Sequence, residues 1–272
     1  MRLSLTRLIP KRVRDFFRAW RMFLQARAYL RDKDAAVRTA AAAASDPANP
    51  LRAYVNGIAA GPGVWKWDDY FDIYHRHFAK FRGREVHIVE IGVFSGGSLG
   101  MWRQYFGAQA RVYGVDIDPA CKAYERDGVQ IFIGDQGDRN FWRRFKAAVP
   151  RVDIVVDDGA HLTPRQIVTL EEMLPHIAPG GTFLCEDVHG IFNGFSLYVS
   201  GFANALNAAR WRKHRTHGAE PAPGCDVTLF QAMVRSIHLY PWVVVFEKHD
   251  TPPAEFVSPR HGTEWRPNPP SL

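Results

Sequence analysis

Between residues 86 and 185 the apolar positions fall into short runs separated by longer amphipathic stretches, a pattern that predicts strands alternating with helices. The first run, VHIVEIG, places Val86, Ile88, Val89 and Ile91 in a buried strand that enters a glycine-rich loop at Gly92, Gly96 and Gly97. A helix over 98–106 follows, then strand 111–115, helix 119–126, strand 129–133, helix 138–147, strand 153–156, helix 164–174 and strand 182–185. Upstream, Trp67, Tyr70, Phe71, Tyr74 and Phe78 recur at helical spacing and predict a helix over 67–81 with one aromatic, core-facing stripe. Downstream the alternation stops. Helices over 195–212 and 227–235, separated by a loop at 218–224, lead to apolar strands 236–240 and 242–247 joined at Pro241, an antiparallel hairpin.

Strands alternating with helices imply an α/β fold: a doubly wound, mostly parallel, seven-stranded sheet covered on both faces and closed by the antiparallel hairpin. Ligands of such sheets lie beyond the carboxyl ends of the strands. Those ends are acidic here, so Glu90, Asp116, Asp135, Asp157, Asp158, Glu186 and Asp187 are expected along one rim. Like charges so close raise one another's pKa values, and a divalent metal with cationic or hydroxyl-rich ligands would resolve the conflict.

The N-terminal stretch has a different character. Leu5, Leu8, Val13, Phe16, Phe17, Trp20, Phe23, Leu24 and Leu30 recur at roughly helical spacing among arginines and predict an amphipathic helical arm, restarted at Pro10. The alanine run 40–44 continues it, and Asp46, Pro47, Asn49 and Pro50 end it. Three segments follow: arm and linker over 1–50, an α/β domain over 51–250, and a proline-rich irregular tail over 251–272.

Net charge sharpens this division. Of the formal +7, all resides in residues 1–32, which hold nine Lys/Arg against Asp15 and Asp32; the remainder carries twenty-six basic and twenty-six acidic residues. A neutral body argues against a nucleic-acid partner. The arm suits packing on the chain's own body or a second copy, or peripheral contact with an anionic membrane. Cys121, Cys185 and Cys225 are scattered and read as reduced thiols of a cytoplasmic protein. No apolar run reaches the roughly 18–20 residues needed to span a bilayer.

Candidate chemistry begins at Glu90. An acid beside a glycine loop repels a pyrophosphate and suits a sulfonium, an ammonium or ribose hydroxyls, as S-adenosylmethionine offers. The loop ExGxxxGGS (Glu90, Gly92, Gly96, Gly97, Ser98), followed in order by GVDIDP, IGDQ, DDGAH and EDVH, resembles class I S-adenosylmethionine-dependent methyltransferases with their Rossmann-like fold. The combination also resembles the metal-dependent O-methyltransferases of macrolide and rhamnosyl sugars and their cephalosporin-hydroxylase-like relatives. The resemblance implies that Glu90, Gly92, Gly96 and Ser98 serve the methionine end of the cofactor. Asp116 would take the ribose hydroxyls, Asp135 and Gln136 would meet the adenine edge, and Asp157 would contact the cofactor or cap a helix. It further implies that Asp158 and Asp187 bind a divalent metal, expected to be Mg²⁺, and that His161 is the general base. Tyr74 or His77, on the helix before the first strand, would lid the cofactor. Glu186 reads as an acid behind the ligands, His189 as substrate-facing or structural, and His238 as structural.

The chemistry is coherent on its own terms. A sugar hydroxyl is a poor nucleophile until its oxygen is polarised by a hard cation or its proton is taken by an imidazole. The acceptor is thus expected to be a saccharide or small natural product. Two departures stand out: Ala160 occupies a position where relatives carry Ser or Gly, and residues 190–194 (GIFNG) replace a Thr-Ser-Tyr-Trp type segment facing the acceptor. Two other readings keep the fold. One is an oxidative iron enzyme using His161, His189 and Asp187; the other is a non-enzymatic domain that binds partners or membrane through its arm. A nicotinamide dehydrogenase is disfavoured, because GxGxxG does not follow the first strand.

Overall fold

The computed structural model describes residues 10–31, 48–208, 210–211, 224–259 and 261–263. The chain divides into two compact units, residues 1–45 and 46–272. In the first, helix α1 (Lys11–Arg31) sets Val13, Phe16, Phe17, Trp20 and Leu24 at helical spacing, all of them exposed. No described helix is long and apolar enough to cross a membrane. The alanine run 40–44, Asp46 and Pro47 lie outside the described residues. Asn49 and Pro50, read above as the end of the arm, instead open α2 (Pro50–Asn56), where the Asn49 side chain caps Leu51 N.

The second unit is the expected α/β sandwich. Its strands are β1 (His87–Ile91), β2 (Arg111–Asp116), β3 (Val129–Ile133), β4 (Val152–Asp157), β5 (Ile177–Cys185), β8 (Val234–Tyr240) and β9 (Val243–Lys248), ordered β3-β2-β1-β4-β5-β9-β8. The first five are parallel, whereas β9 runs antiparallel to both β5 and β8. The strand order reverses between β1 and β4, where a crevice for ligands opens. Side chains alternate across the sheet. Ile88, Ile154, Val156 and Leu184 join Tyr74, Phe78 and Trp102 on one face. Val89, Ile91, Val155 and Phe183 join Trp142 and Phe145 on the other. The covering helices are α3 (Tyr70–Phe78), α4 (Gly97–Phe106), α5 (Arg139–Ala148), α6 (Thr163–Met173) and α7 (Gly194–Leu206).

Several boundaries differ from the sequence expectation. Trp67 lies outside α3, which starts at Tyr70 and tightens to a 3-10 turn over Ala79–Phe81. The helix over 119–126 is a 3-10 helix, Pro119–Tyr124, capped by Asp118. The helix over 195–212 stops at Leu206, and Arg210–Trp211 forms β6, paired with β7 (Gly224–Asp226). β7 in turn pairs with β10 (Glu255–Val257), so the tail is partly structured rather than irregular. Residues 212–223, most of the expected loop, lie outside the described residues. The helix over 227–235 shrinks to α8 (Leu229–Met233), because Thr228 and Gln231 cap its start and Val234 joins the ladder opposite Lys248.

Candidate active site

A cavity of about 730 Å³ opens at the carboxyl ends of the parallel strands. Its floor is the β1–α4 loop. Gly92 has φ +90, and a Cβ there would sit 2.1 Å from the Asp158 carbonyl oxygen, so only glycine lets this loop pass beneath the β4 loop. Gly96 turns the chain into α4 at φ +72. Asp116, at the end of β2, holds the loop in place: Oδ2 accepts from Val93 N at 2.8 Å and Phe94 N at 3.1 Å, and Oδ1 from Asp118 N at 2.9 Å. Partial burial would push its carboxyl up, but these three backbone donors outweigh it and hold it below the usual range. Asp116 still lines the cavity. Ser98 does too, though its hydroxyl is given to Glu90.

The next two strand ends divide between rim and interior. Asp135 lines the cavity, with Oδ1 accepting from Gly137 N and Oδ2 paired to Arg165. Gln136 also borders it, but both amide hydrogens are used internally, on Asp157 Oδ1 (2.9 Å) and Thr169 Oγ1 (3.1 Å), while Oε1 accepts from Ala160 N. Its side chain is a strut rather than a free donor for an adenine edge. Asp157 is buried outside the cavity lining, and burial pushes its carboxyl up to about 6. It supports the loop from below, its Oδ1 accepting from Gln136 Nε2 and Gly159 N.

Three expected residues converge. Donor atoms of Asp158, His161 and Asp187 all lie within 4.8 Å of one another. Both His161 and Asp187 take φ +53, a strained conformation for side-chain-bearing residues that turns them into the opening. One oxygen of each carboxylate is anchored: Asp187 Oδ1 accepts from Tyr70 Oη at 2.7 Å and Trp67 Nε1 at 3.1 Å, and Asp158 Oδ2 meets Lys66 Nζ at 2.6 Å. The other oxygens turn to a common point, with Asp187 Oδ2 3.6 Å and Asp158 Oδ1 3.9 Å from His161 Nε2. His189 Nε2 lies 3.5 Å from Asp187 Oδ1, and its ring packs edge-on against Trp242 at 4.9 Å and Trp67 at 6.3 Å. The three-donor sets among the described residues do not combine His161, His189 and Asp187.

Lys66, which the sequence reasoning missed, is the organising cation. Its side chain is 4% exposed, and Nζ lies 2.6 Å from Asp158, 3.1 Å from Glu186 and 3.3 Å from Glu90. Burial alone would lower its pKa, but the three acids outweigh that and keep the ammonium protonated. Glu90 belongs to this interior set rather than to the cofactor rim: as the penultimate residue of β1 it shares the face of Ile88, is fully buried, and does not line the cavity. Burial raises its carboxyl against the pull of Lys66 and Ser98. Glu186 is raised by burial and by Asp158, with Lys66 and the Tyr74 hydroxyl opposing. Tyr74 and His77 are buried and do not line the cavity; Trp67 and Tyr70 line it. Trp242, at φ +62 in the β8–β9 turn, packs 4.6 Å from Trp67.

Residues 89–188 match a family model described as a methyltransferase domain. The chain is 33% identical over 211 residues to 8-demethyl-8-alpha-L-rhamnosyl tetracenomycin-C 2'-O-methyltransferase of Streptomyces olivaceus, covering 71% of this chain and 54% of that one. Demethylmacrocin O-methyltransferase of Streptomyces fradiae is 34% identical over 122 residues, covering 42% of this chain and 30% of that one. Among solved structures, MycE methyltransferase in complex with Mg, SAH and mycinamycin VI superposes with a TM-score of 0.56 at 26% identity, over 74% of this chain and 53% of that chain. The chain thus resembles class I S-adenosylmethionine-dependent methyltransferases, and spans about half the length of the first of these relatives.

Proposed function

We propose that this protein is an S-adenosylmethionine-dependent, Mg²⁺-assisted O-methyltransferase acting on a hydroxyl of a saccharide or of a small natural product that carries one. The observation that carries the reading is the division of labour between carboxylate oxygens. Asp158 and Asp187 each have one oxygen fixed by protein donors and one turned toward His161 Nε2. Protein donors behind a ligand oxygen are how first-rank metal ligands are oriented. An oxygen-rich, partly open set suits Mg²⁺, which keeps waters for exchange with substrate.

The donor set therefore fits the metal, with Asp158 and Asp187 holding it. When bound, Mg²⁺ supplies Lewis-acid polarisation of the acceptor oxygen, and S-adenosylmethionine supplies the electrophilic methyl. His161 Nε2 receives the hydroxyl proton, being the ring atom turned toward both acids. Asp116 and the loop from Gly92 to Ser95 seat the ribose and methionine portions, and Asp135 borders the adenine end. Trp67 lines the cavity and is 50% exposed, an apolar ring face suited to a sugar ring, and Trp242 packs against it from outside the lining. The reaction is an in-line displacement, so much of the rate comes from holding the acceptor oxygen against the methyl.

Titration calorimetry with S-adenosylmethionine, followed by methyl-transfer assays on rhamnosylated and macrolide acceptors with and without Mg²⁺, tests the proposal. Cofactor binding with metal-dependent transfer is expected. Absence of cofactor binding at millimolar concentration would overturn it.

A further inference from the structure

Away from the cavity, a second set of three donors converges: His77 on α3, His238 on β8 and Glu247 on β9, with ligand atoms all within 4.8 Å of one another. None of the three lines the cavity. We propose that His77, His238 and Glu247 form a structural site for a transition-metal ion, best suited to Zn²⁺, which clamps α3 to the edge of the sheet.

Donor chemistry and spacing support this. Two imidazoles and one carboxylate are a zinc ligand set, with a fourth position left for water. The carboxylate uses one oxygen for each histidine: Oε1 lies 3.0 Å from His77 Nδ1 and Oε2 lies 3.2 Å from His238 Nε2. Ligand atoms around a tetrahedral zinc at about 2.0–2.1 Å are separated by about 3.3 Å, close to both carboxylate–imidazole distances, and the two imidazole nitrogens lie within 4.8 Å of each other. His77 is oriented from behind, because Tyr240 Oη lies 2.9 Å from its Nε2 and fixes which nitrogen faces the carboxylate. Ser236 Oγ stands beside His238 Nε2 at 3.0 Å and beside Glu247 Oε2 at 3.1 Å.

All three ligands sit on rigid elements. His77 is 3% exposed in α3, and Glu247 is locked between Thr182 of β5 and Ser236 of β8 by strand register. His238 is about one-third exposed, which gives an ion a route in. Lys80, the competing cation, is 4.0 Å from Glu247 Oε1 and 43% exposed, so it can swing into solvent. Each neutral imidazole can present a lone pair to the ion by shifting its proton to the other ring nitrogen, with Tyr240 Oη as acceptor for His77.

The placement has a consequence for the active site. Tyr70 and Tyr74, whose hydroxyls hold Asp187 and Glu186, lie two turns and one turn before His77 on the same helix. A metal clamp at His77 would fix the position of that helix.

The test uses the full chain, incubated with Zn²⁺ in excess Mg²⁺, stripped of loose metal on a chelating resin, and assayed by elemental mass spectrometry. Wild type and Asp187→Asn are expected to retain about one more zinc per chain than His238→Ala and Glu247→Gln. Zinc should also raise the melting temperature of wild type and not of His238→Ala. Should either variant fail to fold, Co²⁺ loaded into wild type should give the intense visible absorption of a tetrahedral centre. Equal zinc retention across the folded variants, or an octahedral cobalt spectrum, would overturn the proposal and leave a hydrogen-bonded His–Glu–His triad.

Discussion

Lys66 Nζ lies 2.6 Å from Asp158 Oδ2, a contact between residues 92 positions apart that joins the segment before α3 to the end of β4. It fixes one oxygen of a metal-site carboxylate and neutralises part of a buried acidic cluster. Both consequences can be measured.

Replacing Lys66 with methionine keeps the length of the stem but removes the ammonium from between Glu90, Asp158 and Glu186. Breaking a buried ion pair from one side costs about 3–5 kcal/mol, because the remaining charges stay uncompensated. Urea unfolding of Lys66→Met at pH 8 should show a loss of that size. A loss below about 1 kcal/mol, the worth of a surface pair, would mean that the lysine is not the cluster's counterion.

Asp157 gives the fold a pH dependence of definite sign. Its folded pKa of about 6 stands above the ordinary 3.8, so its contribution to stability is fully present below the ordinary value and is lost as pH rises through 6. Asp157→Asn keeps an Oδ1 acceptor for Gln136 and Gly159 N but cannot ionise. Its stability relative to wild type should therefore improve as pH rises from 4 to 7. Parallel stability curves for the two proteins over that range would contradict the assignment.

His161→Gln removes the proposed base and preserves a side chain of similar reach. General-base catalysis contributes about 10²–10⁴-fold, so kcat should fall by that factor with cofactor affinity unchanged. Asp187→Asn should instead weaken Mg²⁺ affinity by more than the about 10–100-fold that loss of a mere supporting partner costs, since the carboxylate facing His161 loses its charge. Equal kcat for His161→Gln and wild type would assign the proton to another acceptor.

Trp242→Ala deletes one ring of the pair packed at 4.6 Å against Trp67. The ring pair is worth about 0.5–1.5 kcal/mol of stability, so urea unfolding should show a loss of that size, and with Trp67 released from its partner KM for a glycosylated acceptor should rise while KM for S-adenosylmethionine stays constant. Equal effects on both substrates would point to general loosening of the cavity.

Much of the fold was legible in the chain because periodicity is local. The alternation from Val86 to Cys185 yields the parallel strands in order, and the run from Val234 to Lys248 yields the closing hairpin. The boundaries that failed, at Trp67, Leu206 and Val234, are places where a pairing partner far along the chain overrode helical spacing.

At the site, Asp158, His161 and Asp187 were legible because they punctuate strand ends, and position on a parallel strand determines the rim to which a residue is carried. Which way a side chain then turns was not. Glu90 and Asp157 read like their neighbours in the sequence, yet alternation across the sheet buries them beneath the cavity. Lys66, Tyr70 and Trp67 carried no local signal of their role, since their partners lie 92 to 120 residues away. The sequence by itself determined the succession of strands and helices along the chain, the acids that close the strands and the glycine loop, all matters of short-range pattern. Only the tertiary structure decided which acids face the opening and which are held by Lys66, because that depends on long-range packing of α3 and its preceding segment against the sheet.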